Sequence, residues 1–125
     1  MPTARDGVGR YRELAVATAS RGQLVLLAYE ELLRCVADAG VAIERRDAAG
    51  RCAAIRRAQA ILTELTVTLD HGVDPALAAT LEDLYHFAIA ELVRADAEAS
   101  RARLRDVDGI LRTLLDGWRA AVAPH

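Results

Sequence analysis

Aromatic side chains are scarce in this chain: three Tyr, one Phe and one Trp among 125 residues. A core with so few rings has to be filled by aliphatic side chains, and the 53% hydrophobic fraction is carried mostly by Ala, Leu and Val. Proline is equally rare, with three residues, two of them near the chain ends. Cysteine is limited to Cys35 and Cys52, on separate predicted helices and without C-x-x-C spacing; they read as small core residues in a reducing compartment. An excess of basic charge is also missing. Sixteen basic against eighteen acidic residues give a net charge of -2, and no basic run forms the footprint of a nucleic-acid binder. The first ten residues, Met1 to Arg10, contain no apolar stretch and no cleavage signature, so nothing directs the chain into the general secretory route and cytoplasmic residence is expected.

What is present is helical periodicity. From Ser20 to Ile43, Leu26, Tyr29, Leu33, Val36, Gly40 and Ile43 recur at steps of 3 and 4, and Val25, Ala28, Leu32, Cys35, Ala39 and Ala42 repeat the pattern one residue earlier. The resulting apolar face is wide enough to touch two neighbours, which predicts that this helix lies near the centre of a bundle. Glu30, Arg34 and Asp38 mark a narrow solvated stripe that argues against membrane insertion. Ser20-Arg21-Gly22-Gln23 fits a capping box at its start.

Three more amphipathic segments follow. Asp47 caps a second helix with the seam Ile55, Ala58, Leu62, Leu65 and Leu69, stopped by His71 in its last turn and Gly72 at a left-handed cap. Asp74 and Pro75 open a third, with Leu77, Leu81, Leu84, Ala88 and Leu92 on its seam and an end near Asp96. Ser100 caps a fourth, whose seam is Leu104, Val107, Leu111, Leu114 and Trp118 and which Gly109 and Gly117 weaken. Short connections make successive helices antiparallel. The expectation is an all-α, antiparallel four-helix bundle with a short N-terminal segment packed on it: residues 1–10 a mobile tail, residues 11–122 a single domain.

No catalytic constellation accompanies these helices. The Glu-x-x-His pairs of a di-iron bundle are absent, and Glu82 with His86 makes one carboxylate–imidazole pair, too few ligands for a metal shell. There is no G-x-S-x-G, no phosphate-binding glycine loop and no second histidine plainly placed beside His86. No enzyme activity and no cofactor are expected, and binding through an apolar groove remains.

The order of residues adds a resemblance. Tyr11-Arg-Glu-Leu-Ala-Val-Ala-Thr-Ala-Ser followed by Leu24-Val-Leu-Leu-Ala-Tyr29 resembles the N-terminal signature of the FliS family of flagellin-specific export chaperones. Arg57-Ala-Gln-Ala-Ile-Leu-Thr-Glu-Leu65, Leu84-Tyr85 with Leu92, and Asp106-Val-Asp-Gly-Ile-Leu ending at Trp118 are similar to its later helix motifs, in the right order and at the right separations. Arg21 replaces the usual proline, Glu30-Glu31 replaces an Asp-Gly or Asn-Gly, and His86-Phe87 replaces an Asp-Tyr pair.

The resemblance implies a cytoplasmic chaperone that binds the disordered C-terminal segment of flagellin in hydrophobic grooves, blocks premature polymerisation and delivers it to the flagellar type III export apparatus. It also implies that Tyr11, Leu14 and Val16 line the flagellin site or cover it when empty. Tyr29, Tyr85 and Trp118 divide between core packing and flagellin contact, and Ile61, to one side of the second helix's seam, is placed to face a groove. Exposed grooves would also let two chains pair as a homodimer without the guest. The alternative is a helical adaptor that binds a folded partner and has no chaperone activity.

Overall fold

The computed structural model describes residues 20–122. They form four helices: α1 Arg21–Glu44, α2 Ala48–Val67, α3 Pro75–Glu98 and α4 Arg101–Val122. The predicted tail and N-terminal segment lie outside the described residues.

Each helix starts where a side chain can satisfy its free backbone donors. Ser20 Oγ accepts from Gln23 N–H at 3.2 Å while Gln23 Oε1 accepts from Ser20 N–H at 3.0 Å, the full capping box. Asp47 Oδ1 accepts from Gly50 N–H at 2.9 Å, Asp74 Oδ1 from Leu77 N–H at 3.1 Å and Ser100 Oγ from Arg103 N–H at 3.3 Å.

The ends follow the sequence less closely. α2 stops at Val67, short of His71, and no described glycine has positive φ, so Gly72 is not a left-handed cap. At the observed end Thr66-Val67-Thr68 is a β-branched run, which disfavours the helix, and the Thr68 hydroxyl donates to Leu65 O at 3.1 Å, satisfying a carbonyl that the helix end leaves free. Gly72 N–H instead donates to Asp70 Oδ1 at 2.9 Å. The left-handed residues are Arg46 (φ 56°) and Ala99 (φ 47°), one in each of the two tight connectors. α3 runs on to Glu98, slightly past the predicted end.

The helices form a ring: α1 packs on α2 and α4, and α3 packs on the same two. α1 makes the most extensive contacts, as its wide apolar face requires, but it is not central. All four helices stand around one shared core. Cross-pairs show the antiparallel order, with Arg51 near the start of α2 meeting Asp96 near the end of α3, and Arg101 at the start of α4 meeting Glu44 at the end of α1.

The core is aliphatic, with Leu32, Ile55, Leu62, Leu92 and Leu111 almost wholly enclosed. Two seam assignments shift. Leu77 is 51% exposed and its neighbour Ala78 is buried instead, while Leu81 is buried as expected; near the end of α4, Leu115 is buried while Leu114 is only half-buried. Ala39 and Ala42 on α1 and Ala54 and Ala58 on α2 are all buried, small side chains of the kind that allow packed helices to approach closely.

Candidate binding groove

Away from the Arg46 connector the surface of the α1–α2 pair opens. A groove of about 720 Å³ lies between the first half of α1 and the last half of α2. Its floor is apolar, built from Leu24, Val25, Leu27 and Ala28 on α1 and Ala60, Ile61 and Leu65 on α2. Its rim carries Arg21, Glu30, Glu31 and Arg34 from α1, Glu64 from α2 and Thr68 just beyond it. Such a volume with an apolar floor and charges only at the edge suits an apolar guest held by burial and oriented by the rim. Arg34 pairs with Glu31 along α1, and Glu30 reaches Arg119 of α4 at 3.6 Å, so part of the rim is internally neutralised.

The core also holds a hydroxyl pair. Tyr29 of α1 and Tyr85 of α3 are 0% and 2% exposed, and their hydroxyls share a hydrogen bond of 2.6 Å across the diagonal of the bundle. The rings are tilted by 56° with centroids 6.4 Å apart. Burial pushes both phenols up from the usual tyrosine range, and the indole of Trp118 acts on both in the opposite direction. Neither hydroxyl is left unsatisfied, which is what an aliphatic core requires of a buried polar group.

Among the predicted site residues, Ile61 lines the groove. Tyr29, Tyr85 and half-buried Trp118 are brought together inside the bundle rather than on the groove floor. Tyr11, Leu14 and Val16 lie outside the described residues. Most of the floor was not singled out from the sequence: Leu24 and Leu27 fall outside both seams of α1, yet they are large apolar residues on a helix flank, and that was the available signal. Glu91, 4% exposed, was also missed; it meets Arg103 of α4 at 3.2 Å and Arg94 at 3.0 Å, and Arg103 in turn holds Glu98 at 2.6 Å. Glu82 contacts His71 at 3.1 Å, and no cluster of three or more metal-ligating side chains occurs among the described residues.

A four-helix ring with an open apolar groove is shared by many proteins, so comparison with known families decides the lineage. The profile of the family described as "Flagellar protein FliS" matches residues 4–125. This chain belongs to the FliS family. It is 30% identical to the flagellar secretion chaperone FliS of Bacillus subtilis over 112 residues, covering 90% of this chain and 83% of that one. With the chaperone of the same name from Campylobacter jejuni it shares 33% over 109 residues, covering 87% and 85%. The Escherichia coli FliS is more distant, at 24% over 111 residues, 88% and 82%. Set against the usual FliS pattern, Arg21, Glu30 and Glu31 are departures, and all three line the groove. No described helix is long and apolar enough to cross a membrane.

Proposed function

We propose that this protein is a cytoplasmic export chaperone that holds the disordered C-terminal segment of a flagellin in the α1–α2 groove, prevents its premature polymerisation and delivers it to the flagellar type III export apparatus. The observation that carries the reading is the groove itself, preformed and apolar, in a member of the FliS family. A flagellin segment that forms filament contacts must display an apolar face before export, and burying that face removes the surface through which subunits associate. Ordering the segment consumes part of the interaction energy, which keeps the complex reversible. The mechanism needs no bond-making chemistry and no nucleotide.

Chain connectivity supports a part for the N-terminal residues. Tyr11 precedes Arg21 by ten residues, and such a stretch spans up to about 33 Å. Tyr11, Leu14 and Val16 are therefore within reach of the groove mouth formed by Arg21 and Leu24, where they line the flagellin site or cover it when empty. An uncovered groove offers a second copy the same apolar surface, giving a homodimer in the absence of the guest.

The test is calorimetric titration of the full chain with the C-terminal segment of flagellin from the same organism, with circular dichroism of the segment. One-to-one binding with a gain in helicity and a negative heat-capacity change is the expected result. Binding to a folded export component with no affinity for the segment would replace the chaperone reading with that of an adaptor.

A further inference from the structure

Two charges on the groove rim are placed against the helices that carry them. Arg21 occupies the first position of α1, where the macrodipole presents its positive end, and Glu64 lies in the last turn of α2, where the dipole is negative. Both are exposed, and neither has an ion-pair partner among the described residues. The rest of the rim differs: Arg34 and Glu31 pair with each other, and Glu30 pairs with Arg119. Among the described residues, the rim thus keeps one unpaired cation and one unpaired anion on facing helices, each disfavoured by its own backbone, at the edge of an apolar groove.

We infer that Arg21 and Glu64 select the guest by charge: the segment that fills the groove is an amphipathic helix with a carboxylate level with Arg21 and a cationic side chain level with Glu64. This rests on the reading that the groove takes a disordered apolar segment. Groove residues on α1 run from Arg21 to Arg34, about 20 Å at the helical rise, so the guest is about four turns long. The Asp38–Arg57 pair, 3.9 Å across α1 and α2, sets the relative height of the two helices. On that scale Glu64 stands about 15 Å below Arg21, which separates the guest's two charges by about three turns. A guest so charged compensates two dipoles as well as two side chains, whereas an uncharged apolar helix leaves all four uncompensated.

The test uses the full chain, the charge reversals Arg21→Glu and Glu64→Lys, and the flagellin segment as probe. Each reversal is expected to weaken binding about threefold to tenfold at low salt, with the loss fading as salt rises. The free variants should melt at the same temperature as the parent or about 1–2 °C higher, because each reversal suits its helix dipole. Lower affinity without lower stability is a result that a merely structural role does not give. Undiminished affinity in both variants overturns the inference and leaves the chaperone reading standing. If the parent does not bind the segment, that reading fails by itself. The same variants are then titrated with a designed 16-residue amphipathic peptide carrying one Asp and one Lys about three turns apart, and with its Asn/Gln counterpart. A preference of the parent for the charged peptide that both reversals abolish upholds the charge selection; equal binding of the two peptides, or none, overturns it.

Discussion

The two ends of the bundle are built differently. At the end with the short connectors, residues 45–47 and 99–100, ion pairs stitch neighbouring helices: Glu44 to Arg101 at 2.7 Å, Arg51 to Asp96 at 2.9 Å and buried Glu91 to Arg103 at 3.2 Å. At the opposite end the connector of residues 68–74 is longer, Leu24, Val67, Val73 and Leu77 are exposed where the stitched end exposes Val41 and Val93, and the α1–α4 pair Glu30–Arg119 is looser at 3.6 Å. The difference teaches a division of labour. One end fixes the helices in register, which leaves the other free to show apolar surface that a protein with no partner would bury.

The sharpest way to break the comparison is to alter adjacent residues that face opposite ways. Leu62, 0% exposed, belongs to the core, and Leu62→Ala should cost about 3 kcal/mol in urea denaturation. Ile61, next to it on the groove wall, should cost about 1 kcal/mol or less as Ile61→Ala, while weakening guest binding about tenfold in calorimetry. Equal stability losses would mean that the groove is part of the core.

Next come the polar anchors of the two ends. Tyr29→Phe should cost about 1–2 kcal/mol by stranding the Tyr85 hydroxyl, and adding Tyr85→Phe should cost less than the sum, because the second change removes the stranded group. Raised phenol pKa values make this end sensitive to alkali. The unfolded tyrosines ionise from about pH 10 while the folded pair stays neutral, so stability is full below that pH and falls above it. At the other end Arg103 holds the exposed Glu98 carboxyl below its usual range, so a small contribution present above about pH 4.3 is lost as the pH falls. Amide exchange at both extremes should therefore show the Tyr29 region loosening in alkali and the corner at Ala99 in acid.

Smallest are the glycine changes. Nothing lies within 4 Å of a Cβ added at Gly109 or Gly117, so Gly109→Ala and Gly117→Ala should each stabilise the protein by up to about 1 kcal/mol. At Gly22 the added Cβ would come 2.9 Å from a Val122 methyl, where the α1 and α4 termini meet. Gly22→Ala should yield less than the other two, or be destabilising, as melting curves would show.

The helices were legible because two independent signals coincided, a 3–4 seam and a capping side chain just ahead of it, as at Ser20, Asp47, Asp74 and Ser100. The end of α2 was not. His71 and Gly72 look like a stop, but the β-branched run Thr66-Val67-Thr68 comes first and the helix ends there. Glu91 shows a different gap. On its own helix it reads as an ordinary surface glutamate; what permits its burial is Arg103, arriving from the next helix. The groove escaped for a related reason. Periodicity tells which face of α1 is apolar but not how fully α2 covers it, so Leu24 and Leu27 gave no sign of which surface they border.

The buried alanines between α1 and α2 have one more consequence. Side chains between two packed helices set how near their axes come. Ala39, Ala42, Ala54 and Ala58 are buried there and do not line the groove. A larger side chain at any of them would have to be absorbed by the shared core, so the packing of the helix pair can be altered one carbon at a time without changing a residue that a guest meets.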